Sequence, residues 1–183
     1  MLPTTLSVNG VDYAIRSDYR VILTIFEAYN DPTLTDSDKI TVMLQCLYVD
    51  VPQDITQAAE QAVWFIDGGG STGGSNSRPQ SNIKVIDWAQ DEQLIFAAVN
   101  KVAGKEIRAL DYLHWWTFLG YFNEIGEGLF STILNIRTKM GKGKKLEKYE
   151  QDFYKEHKDL IDIKKRYTEA EKQEMARLSE IFR

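Results

Sequence analysis

The sequence is poor in the residues that build covalent and metal-bound sites. Among 183 residues there is one cysteine, Cys46, and there are two histidines, His114 and His157. A single cysteine cannot form a disulfide within the chain, and these three side chains do not make a zinc ligand set. Carboxylates such as Asp36 and Asp38 lack the spacing of a calcium-binding loop. We therefore expect neither a metal nor another cofactor, and we interpret Cys46 as a buried structural thiol.

Long apolar runs are also missing. No segment approaches the roughly 20 consecutive apolar residues that cross a bilayer. The first ten residues, MLPTTLSVNG, lack the basic and then apolar layout of a secretory signal. We expect a soluble, cytosolic protein that does not bind a membrane.

Positive charge is scarce over most of the chain. Residues 1–138 carry nine Lys and Arg against 17 Asp and Glu, a net charge of −8, whereas residues 139–183 carry 13 against 10, a net charge of +3. Nucleic-acid binding needs a clustered basic face, because most of its affinity comes from phosphate contacts. We therefore expect no nucleic-acid partner. A chain of this length with 43% apolar residues can bury one substantial core.

Apolar periodicity predicts a mainly α fold. Asn9-Gly10 separates two short alternating runs, so residues 6–15 are predicted to form a β-hairpin with a type I′ turn. Helical spacing follows in six segments. The first three predicted helices begin after Ser17 or Asp18, after the capping pair Thr35 and Asp38, and near Gln53. The fourth begins at Asp87 or Trp88 and ends at Gly104. The fifth covers residues 110–122, and the sixth contains Leu129 to Ile136.

The predicted organisation is a compact helical core with a charged tail. Residues 1–140 are the core domain, which includes a Gly/Ser-rich loop at residues 68–82. That loop is too poor in apolar residues to be buried, and it lacks the lysine of a phosphate-binding loop. Residues 141–183 are predicted to be an amphipathic helical extension. Its apolar residues from Leu146 to Tyr167 recur in steps of three and four, and a last helix follows the capping box of Thr168 and Glu171.

The stretch LDYLHWWTFLGYF, residues 110–122, has apolar residues almost all round a helix. Such a helix is buried in its domain or covered by a partner. Core packing and a partner-binding anchor both stay open for its aromatic residues, with one tryptophan inside and the other on a groove wall. A protein partner would be expected in an apolar groove between this fifth helix and the tail. The residues predicted to contact it are Trp115, Trp116, Tyr121, Tyr149, Phe153 and Leu160.

A catalytic interpretation depends on His114 alone. A general base needs a pKa near the working pH and an orienting group, and a catalytic triad also needs a nucleophile within hydrogen-bond reach. The nearest carboxylate in the sequence is that of Asp111, and no nucleophile elbow is present. We interpret His114 as a core residue hydrogen-bonded to a backbone carbonyl, and we predict that the protein is not an enzyme.

Several blocks of the sequence occur together in one known family. They are YAIRSDYR at residues 13–20, VWF at 63–65, IDW at 86–88, QD at 90–91, IFAA at 95–98, YLHWWTF at 112–118 and IR at 136–137. In this order and spacing, residues 6–160 resemble the bacteriophage Gp-fifteen family, which is found in tail operons of siphophages and prophages of Gram-positive bacteria. That family has no assigned catalytic residues, so none is transferred to this sequence.

The resemblance implies a tail-assembly chaperone. Such proteins are thought to coat the phage tape-measure protein until tail-tube subunits replace them, so the implied partner is that protein. A second tail-assembly chaperone, or another copy of this chain, is a further candidate partner. The implied location is the host bacterial cytoplasm and not the mature virion. A structural subunit of the tail or of the head–tail joint is the alternative, and an enzyme that uses His114 is a second rival.

Overall fold

The chain begins with a β-hairpin. The structure, a computed structural model, describes residues 1–70 and 84–181, and only the backbone of residues 179–181. Strands β1 (Thr5–Val8) and β2 (Val11–Ala14) pair antiparallel. Asn9 and Gly10 between them have φ of 52° and 79°, the positive values that a type I′ turn requires. The predicted hairpin is confirmed.

Nine α-helices follow within the described residues. They are α1 (Tyr19–Tyr29), α2 (Asp36–Leu47), α3 (Ile55–Ile66), α4 (Glu92–Ala103), α5 (Trp115–Asn123), α6 (Leu129–Gly141), α7 (Lys148–Glu156), α8 (Lys158–Ile161) and α9 (Glu169–Ile181), with a 3₁₀ turn, Ile107–Ala109, before α5. The predicted mainly α fold with an amino-terminal hairpin is confirmed. Most of the predicted Gly/Ser loop, and Phe182 in the last predicted helix, lie outside the described residues.

Side-chain caps start the first three helices. The carboxylate of Asp18 accepts a hydrogen bond from the amide of Arg20, and Thr35 forms a reciprocal capping box with Asp38. Asp54 accepts from the amide of Gln57 at the start of α3. Each cap satisfies a backbone donor that has no partner inside its helix. These starts could be predicted because the cap and the amide are close in sequence.

Helix α4 begins later than predicted. Its first residue is Glu92, not Asp87 or Trp88. The preceding residues form a turn in which the amide of Asp91 donates to the carbonyl of Asp87, at 2.8 Å. The carboxylate of Asp91 accepts from the amide of Asp87, at 3.0 Å. Because these two residues bond to each other, the chain turns once before the helix starts.

Helix α5 also begins later than predicted, at Trp115 and not at Leu110. The residues before it are extended and lie beside the start of α1. The amide of Tyr19 donates to the carbonyl of Leu113 at 3.0 Å, and the amide of Trp115 donates to the carbonyl of Ser17 at 2.8 Å. Pairing with a distant segment therefore replaces the first turn of the predicted helix.

The main core lies among α1 to α5 and the inner face of the hairpin. Tyr19, Trp115 and Phe118 are each at most 1% exposed. The rings of Tyr19 and Phe118 are stacked with centroids 5.0 Å apart, and those of Trp115 and Phe118 with centroids 5.5 Å apart. Stacked aromatic pairs contribute about 0.5–1.5 kcal/mol each beyond their area burial. From β1, Leu6 and Val8 pack against this core.

A second, smaller cluster joins α6 to the carboxy-terminal segment. It consists of Ile133 and Ile136 from α6 and Ile161 from α8, with Phe153 of α7 packed against it. The predicted seam from residue 146 to 167 is not one helix, because the chain turns at His157 between α7 and α8. Packing therefore crosses residue 140, and the division into two domains there stays a prediction.

Arg137 connects three parts of the chain in the interior. Its guanidinium makes a bidentate ion pair with the carboxylate of Asp91, at 2.6 and 2.8 Å. It also donates to the carbonyls of Val85 at 2.9 Å, Leu160 at 2.7 Å and Ile161 at 2.7 Å. These contacts use all five donors of the side chain. Because Arg137 is 5% exposed and Asp91 1%, each charge depends on the other.

The segment after α8 is fixed beside the same ion pair. The side chain of Gln90 donates to the carbonyl of Asp162 and accepts from the amide of Lys164, both at 2.9 Å. Arg166 pairs with the buried carboxylate of Asp87 at 3.0 Å. Residues 162–166 are therefore held in extended form against the turn that precedes α4.

Helix α7 is attached to α6 through a buried carboxylate. Glu150, 1% exposed, accepts from the ammonium of Lys139 at 2.6 Å and from the side-chain amide of Asn135 at 3.0 Å. It also accepts from the backbone amide of Glu147 at 2.8 Å. The bond from Lys139, followed by that backbone bond, holds the pKa of Glu150 below its usual value.

Replacing Arg137 with Met should destabilise the protein strongly. The substitution leaves the carboxylate of Asp91 buried without its cation and three carbonyls without their donor, so a loss of about 3–5 kcal/mol in the free energy of unfolding is expected. Urea titration measures it. The matched control is Lys155→Met, because Lys155 is 73% exposed in its ion pair and should change stability by less than about 0.5 kcal/mol. Equal effects for the two variants would contradict the role of Arg137.

Replacing Glu150 with Gln should give a stability loss that depends on pH. A carboxyl whose pKa is lowered by folding stabilises the protein above its unfolded value, 4.5, and loses that contribution as the pH falls through the folded value. The difference in urea midpoint between wild type and variant should therefore be constant near neutral pH and shrink below about pH 4.5. A difference that is the same at every pH would count against this assignment.

Candidate interaction surface

The two adjacent tryptophans cap the carboxy-terminal end of α3 with side-chain hydrogen bonds. The indole N–H of Trp115 donates to the carbonyl of Ile66 at 2.8 Å, and that of Trp116 donates to the carbonyl of Phe65 at 2.9 Å. These carbonyls belong to the last turn of α3, beyond the helix's own amide donors, and the carbonyl of Phe65 also accepts from the amide of Gly68 at 3.1 Å. The Trp-Trp pair therefore has a structural role that its sequence did not reveal.

The two tryptophans differ in exposure. Trp115 is 1% exposed and offers no surface to a partner, which corrects the prediction for this residue. Trp116 is half-buried, with its ring centroid 5.5 Å from that of Trp64 and 5.9 Å from that of Phe65. Gly69 has φ of +81°, and a Cβ there would lie 2.8 Å from the Trp116 ring, so only glycine fits. Partner binding by Trp116 stays a prediction.

His114 is the N-cap of α5. Its Nδ1 accepts from the backbone amide of Trp116 at 3.0 Å, and its Nε2 is 2.9 Å from the carbonyl of Pro3. Nδ1 must be unprotonated to accept, so Nε2 carries the hydrogen and donates to Pro3. The predicted core histidine bonded to a backbone carbonyl is confirmed. Both ring nitrogens are engaged by the backbone, and the side chain is 4% exposed.

The other predicted contact residues do not share one groove. Tyr121 packs against the main core and Phe153 against the second cluster. Tyr149 and Leu160 are 67% and 41% exposed. In the part of the chain that the structure describes, none of these four lines any of its four main cavities. None of these cavities is the expected groove between α5 and the tail, and partner binding by these residues stays a prediction.

A different apolar groove lies on one flank of α4. It has a volume of about 510 Å³ and is the most apolar of those four cavities. One wall is α4, and the other is the connection from α5 to α6 with the first turn of α6. We call it the α4 groove; its main apolar residues are Leu94, Ala98 and Val102 on the first wall and Ile125, Leu129 and Phe130 on the second.

The core covers only part of the apolar side of α4. Leu94, Ala98 and Val102 follow the same helical spacing as Ile95 and Val99. Ile95 and Val99 are buried, at 1% and 0% exposure, but Val102 is 36% exposed and Leu94 and Ala98 are half-buried. The apolar arc of α4 is wider than the face that the core covers. That excess width is the signal that could have indicated a groove.

Opposite charges stand on the two walls of the α4 groove. Lys101 lies on the wall formed by α4, and Glu124 and Glu127 lie on the other wall. All three are exposed, and none makes an ion pair with any residue that the structure describes. A matching partner would place an acid towards Lys101 and a base towards the two glutamates, which fixes its orientation.

Within residues 1–70 and 84–181, no three His, Cys, Asp or Glu side chains lie close enough together to hold a metal ion. The same residues contain no helix with the length and apolar character that spanning a bilayer demands.

Comparison with known proteins gives one match. The family model described as Bacteriophage Gp15 protein matches residues 1–163. No curated protein and no solved structure matches the chain. The matched range includes every residue of the α4 groove and ends before α9 begins.

Replacing His114 should show its capping role. Asn is a good N-cap and Ala is not, so His114→Asn should retain about 1 kcal/mol more stability than His114→Ala. Thermal and urea unfolding of both variants measure this difference. If Asn and Ala are equally destabilising, the bond from Trp116 to the imidazole does not hold α5 in place.

Proposed function

This protein belongs to the bacteriophage Gp15 family, and from that premise we propose that it is a tail-assembly chaperone whose client is the phage tape-measure protein. A tape-measure protein is expected to be a very long, mostly helical chain. Apolar stripes on such a chain aggregate when they are left bare. The proposed activity is to cover these stripes without changing the client chemically.

The α4 groove is the observation that carries this proposal. An amphipathic helix can lay its apolar face into such a groove, with side chains at positions i, i+3, i+4 and i+7 as contacts. The exposed side chains of Val102 and Leu129, at 36% and 46%, are the apolar surface that a client helix would cover. The unpaired charges on the two walls would align that helix.

The groove is also suited to reversible binding. It is open along one side and small, so one site should bind one helical segment with moderate affinity. Many copies on a long client would give coverage while each copy stays exchangeable. Tail-tube subunits could then displace the chaperone in the host cytoplasm, and the finished virion would lack it.

The geometry of His114 favours this non-enzymatic proposal over an enzyme that uses the residue. A general base needs a ring nitrogen that can reach a substrate. Here one nitrogen accepts from the start of α5, and the other donates to the chain at Pro3. Breaking either hydrogen bond to free a ring nitrogen for catalysis would weaken the attachment of α5 to the rest of the chain.

Co-expression with the tape-measure protein of the same phage tests the proposal. Wild type should raise the soluble yield of that protein several-fold. Ala97→Trp should abolish most of the gain, because Ala97 is an exposed residue of the α4 groove and the indole would fill it. A tape-measure protein that is equally soluble without this chain would refute the proposal.

Two controls make that experiment specific. Gln93→Trp adds the same side chain to an exposed position of α4 outside the groove, and it should protect the client as wild type does. Mass analysis of purified virions separates the chaperone from a structural subunit of the tail or head–tail joint. A structural subunit would be present there at fixed stoichiometry.

A further inference from the structure

We propose that the α4 groove of one copy binds helix α9 of a second copy. Helix α9 begins at a capping box in which Thr168 and Glu171 exchange hydrogen bonds. It lies beyond residue 163, where the family match ends. The inference shares with the proposed function only the assignment of the α4 groove as a binding site.

Helix α9 presents an apolar stripe to solvent. Met175 and Leu178, one turn apart on the same face, are 50% and 44% exposed. The other side chains described from Glu169 onward are exposed too. Covering two such apolar residues is favourable, because removing apolar area from water is the main driving force of association. The stripe is one helical turn long, which suits a groove with a volume of about 510 Å³.

The charges beside this stripe match those of the groove. A helix turns about 100° per residue, so Lys172 lies roughly 90° to one side of the centre of the Met175–Leu178 stripe and Glu174 roughly 70° to the other. In one orientation of α9, Lys172 faces the wall that carries Glu124 and Glu127. Glu174 then faces the wall of Lys101.

The present partner of Lys172 does not prevent this exchange. Its ammonium lies 2.6 Å from the carboxylate of Glu169, one turn earlier, and the two side chains are 56% and 78% exposed. Exposed ion pairs of this kind contribute little to stability, so Lys172 can change partner at small cost.

The occupant comes from a second copy because the single chain leaves both surfaces uncovered. In the structure, α9 is exposed while the α4 groove is open. The segment before α9 is held by Gln90 and Asp87, ahead of the first turn of α4. Association between copies would depend on concentration, and a client helix would compete with α9 for the same groove. In the absence of a client, α9 of a second copy would thus cover the apolar groove.

Sedimentation equilibrium of the full-length protein over a wide concentration range tests the inference. Wild type should self-associate, and Leu178→Gln should weaken the association at least about tenfold. Ala97→Trp should weaken it similarly because it fills the groove. Ala170→Gln, on an exposed position of α9 outside the stripe, and Gln93→Trp should leave the dissociation constant unchanged. Circular dichroism of each variant checks that the helices remain folded.

A charge exchange tests the orientation. The double variant Glu124→Lys with Glu127→Lys should weaken self-association, and adding Lys172→Glu should restore part of it, a coupling that independent surfaces would not give. A wild type that is monomeric at every concentration, or a Leu178→Gln variant that associates as wild type does, would overturn the inference.

Co-expression with the tape-measure protein distinguishes failure of this inference from failure of the proposed function. Leu178→Gln should still protect the client, because its α4 groove is intact. If self-association follows the predicted pattern but the tape-measure protein gains no solubility, only the proposed function fails. If the client is protected and wild type stays monomeric, only the inference fails.

Discussion

The buried side chain of Arg137 joins the carboxy-terminal quarter of the chain to the rest, because it pairs with Asp91 and also donates to the carbonyls of Leu160 and Ile161. A buried ion pair contributes little net stability compared with apolar packing of the same volume. Its effect here is to specify one arrangement, because the guanidinium also donates to the carbonyls of Val85, Leu160 and Ile161. No apolar residue could satisfy those carbonyls. The position of α8 therefore depends on the hydrogen-bonding capacity of one side chain, and Gln90 and Asp87 hold the segment that follows it.

Local signals in the sequence were enough to predict the hairpin and the first two helices. Asn9-Gly10 sets its own turn, and Thr35 with Asp38 sets the start of α2, so each signal and its effect lie within three residues. The starts of α4 and α5 could not be predicted in the same way. The extended segment just before α5 is stabilised by pairing with residues almost 100 positions earlier in the chain. Helical spacing of apolar residues gives no information about such a partner.

The candidate site was predicted less well than the fold, for a related physical reason. Aromatic content drew attention to Trp115 and Trp116, and their indole N–H groups cap the carboxy-terminal end of α3. Whether an aromatic ring is a cap, a core residue or an anchor depends on which helix end is near it. Likewise, the width of the apolar arc of α4 was visible in the sequence, whereas the part left uncovered depends on the packing of α5 and α6. A groove is a property of several elements together.

The blocks that carry the family resemblance are used mainly inside the molecule. Gln90-Asp91 and Ile136-Arg137 meet at the buried ion pair, and the YLHWWTF block holds α1, α3 and the amino terminus together. Two residues of the α4 groove, Ala97 and Ala98, belong to one of these blocks, IFAA at residues 95–98. The charged residues on the two walls of the groove lie outside all of the blocks. Interior contacts constrain the fold without selecting a partner. In the proposed function, Lys101, Glu124 and Glu127 would set which helix binds while the fold stays the same, and α9, which lies beyond the matched residues, would compete for that groove.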